Sequence, residues 1–102
     1  MAKWHPFRYK EFWDQPRAIY TSDGKRSFFL DCSFDEELDE YPDRYKVYLM
    51  PELDELELAG SWADLERKAL AQLGTVDLPR TALDPTLRKL IDFDIFDHLL
   101  PL

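Results

Sequence analysis

The amino-acid sequence predicts an α+β fold: a small antiparallel sheet of three to four strands in the N-terminal half, with two to three C-terminal helices packed on one of its faces. Three observations lead there. Twelve of the fifteen aromatic residues lie between Trp4 and Tyr48, in segments where apolar and polar residues alternate as they do along half-buried strands. The pair Asp23-Gly24 separates two of those apolar runs, a strong short-range hairpin signal. After residue 60 the apolar spacing changes to three and four, the period of a helix.

The first strand is read from Phe7-Arg8-Tyr9-Lys10, in which apolar and basic residues alternate. Ala18-Ile19-Tyr20-Thr21 and Arg26-Ser27-Phe28-Phe29-Leu30 form the arms of the hairpin around Ser22-Asp23-Gly24-Lys25, with glycine supplying the positive φ of a tight turn. If the second arm continues, Cys32 and Phe34 share a face with Leu30. Asp35-Glu36-Glu37-Leu38-Asp39-Glu40 has five charged residues out of six and is read as a loop or short exposed turn, closed by Tyr41-Pro42. Arg44 to Met50 is rich in aromatic and β-branched residues and is read as a further strand, ended by Pro51.

Pro51 to Leu58 fits either a helical turn or an extended piece. Ser61 then offers an N-cap, and Trp62, Leu65, Ala69 and Leu73 fall on one helical face up to Gly74, which predicts a helix over 62–73. Thr75 to Pro79 is read as a short edge strand. Asp84-Pro85 has the form of a capped helix start, aligning Leu87, Leu90 and Ile91. The tail from Asp92 to Leu100 fits a strand at its start or a helix throughout, and the shared helical face of Phe96, Leu99 and Leu100 favours helix. No repeat or low-complexity linker interrupts the 102 residues, so residues 1–102 are expected to form one globular domain.

Charge is distributed unevenly along the chain. Its formal net value is -8, from 13 basic and 21 acidic residues. Residues 31–66 alone contain thirteen acids against Arg44 and Lys46. A field of that sign repels phosphate backbones and anionic membranes and favours basic protein surfaces. Neither nucleic acid nor membrane is therefore expected as a partner. The single cysteine, Cys32, and the absence of an apolar leader or span point to a reducing, cytoplasmic setting.

Candidate chemistry is sparse. From Asp35 the acidic run begins like a calcium loop, but Glu40 stands where the EF-hand needs glycine and Lys46 where it needs glutamate. Asp92-Phe93-Asp94 shares only its spacing with paired magnesium-binding aspartates. Cys32 and His98 have no spacing that makes them nucleophile and base, and Cys32 reads as a small buried apolar residue. His5 reads as solvated. Three glycines form no phosphate loop, and no cysteine–histidine cluster has zinc spacing. Trp4, Phe7, Tyr9, Phe12 and Trp13 interleave with Lys3, Arg8 and Lys10, a pattern that can stack nucleic-acid bases but equally gives a strand one buried face. No catalytic residue, metal site or cofactor is assigned.

Two functions of different class fit these residues. The first is a small acidic protein-interaction module that docks a basic partner surface, inhibitor- or immunity-like in size and charge only. Asp35, Glu36, Glu37, Asp39 and Glu40 would steer the encounter, with Tyr41, Tyr45 or a tryptophan as anchor. The alternative is a small-ligand-binding domain or modest enzyme with a pocket between sheet and helices, marked by a buried carboxylate or His98. An open sheet face is also expected to allow a homodimer.

Overall fold

The computed structural model describes residues 4–13, 15–32, 34–40, 42, 44–77, 83–84 and 90–97. Alternation in the first fifty residues becomes a meander of four antiparallel strands: β1 (Trp4–Trp13), β2 (Gln15–Ser22), β3 (Ser27–Asp31) and β4 (Tyr45–Met50). Three more strands extend it. β5 (Ala71–Val76) pairs with β4, while β7 (Leu90–Asp92) pairs with β1 and carries β6 (Leu83–Asp84) on its outer side. The spatial order is β5-β4-β3-β2-β1-β7-β6, with every neighbouring pair antiparallel.

The register assigns alternate residues to two cores. Phe7, Ile19, Phe28, Leu30, Tyr45, Val47 and Ile91 are buried on one face, roofed by Phe93 and Phe96 from a 3-10 turn, η2 (Phe93–Phe96). Phe28 stacks on Phe96 with ring centroids 4.0 Å apart and meets Phe93 edge-on at 5.7 Å. His5, read as solvated, packs its ring 4.6 Å from that of Phe93. Ala18, Tyr20, Phe29 and Met50 point the other way, against Leu53, Leu58, Trp62 and Leu65 from the connection between β4 and β5. A sheet covered on both faces consumes far more apolar side chains than one with an open face. That is where the aromatic surplus goes.

The expected α+β architecture is therefore corrected: the described chain is mainly antiparallel sheet. Its helical elements are one five-residue α-helix, α1 (Glu55–Ala59), and two short 3-10 turns, η1 (Leu65–Lys68) and η2. The helix expected over 62–73 is not formed. Trp62, Leu65 and Ala69 do pack together on the second core, which is why their spacing looked helical. Leu73 instead packs against the first core, across the sheet. At Ala69 the backbone turns extended, with φ −64° and ψ 142°, and the Leu70 amide donates to the Leu49 carbonyl at 2.7 Å. Pairing with the open side of β4 satisfies a whole row of backbone groups, and that outweighs local helix preference.

Gly74, expected to cap that helix, sits in β5 with φ +130° next to a register shift opposite Val47 and Tyr48. Expected strand residues Thr75 and Val76 are indeed paired, at the sheet edge. The helix expected from Asp84-Pro85 is corrected as well, because Asp84, Leu90 and Ile91 are strand residues, paired as Asp84↔Leu90 and Leu83↔Ile91. Residues 85–89, Leu99 and Leu100 lie outside the described residues. The sheet face expected to be open carries the residues around Trp62.

The hairpin between β2 and β3 forms as expected, with Gly24 at φ +89°. Asp23 organises it: its Oδ1 accepts from the Arg26 amide at 2.7 Å and the Lys25 amide at 2.9 Å. Burial acts to raise the Asp23 carboxyl, but those two amides and the Arg26 charge outweigh it and hold the group below its ordinary 3.8. A depressed folded pKa means stability that is present above the unfolded value and lost as pH falls through the folded one. Asp23→Ala is accordingly expected to lose about 1 kcal/mol at neutral pH. The difference from wild type should vanish on acidification below pH 3.8, as followed by urea denaturation at several pH values. A gap that persists at low pH contradicts this origin.

Candidate functional site

The acidic run between β3 and β4 is held at its base by a buried polar cluster. The Cys32 amide donates to the Arg17 carbonyl at 2.7 Å. Its thiol donates to the Pro42 carbonyl at 3.0 Å, and the Arg17 guanidinium reaches both Cys32 Sγ and Pro42 O at 3.2 Å. Arg17 is 7% exposed and Cys32 fully buried. Both stems of the loop are thus fastened to the sheet.

The loop closes on itself above that base. Asp35 and Glu40 form an antiparallel bridge, the Asp35 amide donating to Glu40 O at 2.8 Å and the Glu40 amide returning to Asp35 O at 3.3 Å. Asp35 Oδ1 accepts from the Glu37 and Leu38 amides at 3.0 and 3.3 Å, an aspartate turn of the kind that lets short loops reverse. Asp39 takes a left-handed φ of +54°, which aspartate tolerates better than most residues. Glu36, Glu37, Asp39 and Glu40 are exposed and Asp35 is half-buried, while Leu38 near the tip is 66% exposed.

The structure brings together all five acidic residues proposed from the sequence. It does not bring Tyr45 to the surface. That residue is 1% exposed, and its hydroxyl donates to the Pro16 carbonyl at 2.6 Å, so its role as a partner anchor is corrected to one in the core. Tyr41 lies outside the described residues. Burial first, then the nearby Cys32, push the Tyr45 phenol far above its ordinary 10.0, against a smaller opposing effect of Arg17. A raised folded pKa gives stability that is full below pH 10.0 and declines above it. Alkaline unfolding of the wild type should therefore steepen above that pH, whereas Tyr45→Phe, about 1 kcal/mol less stable at neutral pH, should show a flatter alkaline limb. Parallel limbs in the two proteins would refute the assignment.

Two grooves of about 520 Å³ flank the loop's base and share Asp31. The first is lined by Asp35, Glu36 and Glu37 together with Arg44, Lys46, Phe34 and Thr75. The second lies between the sheet and the segment that packs on it at Trp62. Lys10, Glu11, Trp62 and Glu66 line it. There Lys10 Nζ donates to the Gly60 carbonyl and stands 5.3 Å over the Trp62 ring. Burial first, then the charges of Asp31 and Glu66, raise the Tyr48 phenol above its usual range.

The buried polar or charged side chains among the described residues are Arg17, Thr21 and Ser27, so the buried carboxylate that would mark a catalytic pocket is not among them. His98 lies outside the described residues. Among those residues no group of three or more histidine, cysteine or acidic side chains could hold a metal ion, and no helix is long and apolar enough to cross a membrane. Comparison with known protein families, curated proteins and solved structures returns no match.

Sequence reasoning missed Arg17. The one available signal was its position between Pro16 and the apolar run Ala18-Ile19. Nothing in the sequence indicates that its guanidinium turns inward to hold the loop.

Proposed function

We propose that this chain is a small acidic protein-interaction module that docks a basic protein surface through the loop Asp35–Glu40. The observation that carries this is the loop's fixed shape: bridged at Asp35 and Glu40 and fastened through Arg17 and Cys32, it turns four carboxylates and Leu38 outward. Loss of loop freedom on binding is a major cost of association, and a loop already held in shape avoids much of it. The carboxylates steer a basic partner, while Leu38 and Phe34, 66% and 43% exposed, supply apolar contact. The single buried cysteine fits a reducing cytoplasm.

The test compares wild type with a variant in which Asp35, Glu36, Glu37, Asp39 and Glu40 are changed to their amides. Both are immobilised and exposed to lysate of the native source at low and moderate salt. A basic protein is expected to be retained by the wild type, released as salt rises and retained poorly by the variant. With that partner purified, the variant should associate about tenfold more slowly at low salt with its melting temperature unchanged. Retention indifferent to both salt and the amide changes would reject the docking loop.

A further inference from the structure

β5 is the last strand on its side of the sheet. It pairs with β4 through one edge, and no described strand occupies the other. Native proteins shield such edges with charges, proline, shortness or a bulge. The opposite terminal strand, β6, is two residues long. β5 has six residues, Ala-Gln-Leu-Gly-Thr-Val, with no charge and no proline. Its one irregularity is the register shift near Gly74, which shortens the run of regular pairing without covering it. Side chains along it range from half-buried to exposed, and Leu70, just before it, is 66% exposed. An edge that no described strand covers is a template for an added strand.

The surroundings of the edge indicate what chemistry that strand would have. Thr75 of β5 lines the same groove as Phe34, Asp35, Glu36 and Glu37. A strand laid along β5 therefore runs towards the acidic loop. Arg44 and Lys46 offset part of the charge in that groove, but four carboxylates, those of Asp31, Asp35, Glu36 and Glu37, outnumber them.

We propose that the partner contributes an extended basic segment that adds to the sheet beside β5, its backbone pairing with the strand and its lysine or arginine side chains meeting the Asp35–Glu37 carboxylates. This rests on the acidic-loop docking proposed above and specifies what docks. Backbone pairing supplies the attachment, and the loop selects for basic residues.

The probe is a library of short synthetic peptides with lysine or arginine fixed at alternate positions and the others varied. Binders are expected to slow amide hydrogen exchange of Ala71–Val76 by about tenfold or more. Peptides carrying proline at alternate positions, in either register, should lose binding because proline has no N–H to donate. Glutamate in place of the fixed basic residues should abolish it as well. Basic peptides that bind without slowing the β5 amides, or that tolerate proline in both registers, overturn the added strand and leave the acidic loop standing. Peptides that protect β5 but bind the fivefold amide variant as tightly as wild type overturn the loop's part in selection. If no peptide binds, the strand is rejected, while the lysate capture judges the loop separately.

Discussion

Phe28→Ala is expected to lose about 3–5 kcal/mol of folding stability. The side chain is fully buried, stacks on Phe96 and meets Phe93 edge-on, so truncation opens a cavity between β3 and the η2 turn that roofs the first core. Neighbouring rings held by their own contacts collapse only in part, and the cavity adds to the lost transfer energy. Domains of this size have only about 5–15 kcal/mol in total, so the loss is a large fraction. It should lower the melting temperature by at least about 12 °C. Leu70→Ala is the matched control, removing an apolar side chain that is already 66% exposed, and should stay within about 0.5 kcal/mol of wild type. Denaturant titration of both variants decides. A Phe28→Ala loss no greater than that of the control would mean the two-core packing is wrong.

Arg17→Met should have the second-largest effect, about 1–3 kcal/mol, and a more local one. Methionine keeps most of the length of the side chain but removes the donors that reach Cys32 Sγ and Pro42 O, and leaving buried acceptors short of partners is costly. The physical consequence runs outward. With Pro42 less firmly held, the amides of Asp35 to Glu40 should exchange faster, while those of the β2–β3 hairpin stay as in wild type. A partner docked by a fixed loop would then bind the variant more weakly, since it must restore the lost order. Arg67→Met is the control, its side chain being 80% exposed in a 3.8 Å ion pair with Asp64. It should be nearly neutral. Hydrogen exchange that is unchanged across the loop in Arg17→Met would show that the loop keeps its shape without this guanidinium.

The first four strands were legible because their information is local. Alternation in Phe7 to Lys10, the Asp23-Gly24 turn and the aromatic, β-branched content of Tyr45 to Met50 each act over a few residues, and the strands they mark are neighbours in both sequence and space. The second half was misread because its structure is decided at long range. Trp62, Leu65 and Ala69 satisfy a helical spacing, yet they fill a face created by Ala18, Tyr20, Phe29 and Met50. Leu90 and Ile91 are strand residues because β1 offers them an edge some eighty-five residues earlier. The site divides the same way. An acidic loop is visible as composition, whereas the burial of Tyr45 and the inward turn of Arg17 depend on partners that no local pattern names.

The pairing of β7 with β1 carries a consequence for how the protein is made. Phe7, Ile19, Phe28 and Val47 belong to segments synthesised first, yet the η2 turn that roofs them ends at Phe96. At ordinary elongation rates the ribosome needs roughly 2–9 seconds to add the forty-six residues between Met50 and Phe96. Until then the first core lacks the cover that Phe93 and Phe96 give it, and the side of β4 that β5 takes has no partner strand before Ala71–Val76 emerge. A chaperone that holds extended apolar segments has its opportunity there, and strains poor in such chaperones should yield this protein chiefly as aggregate.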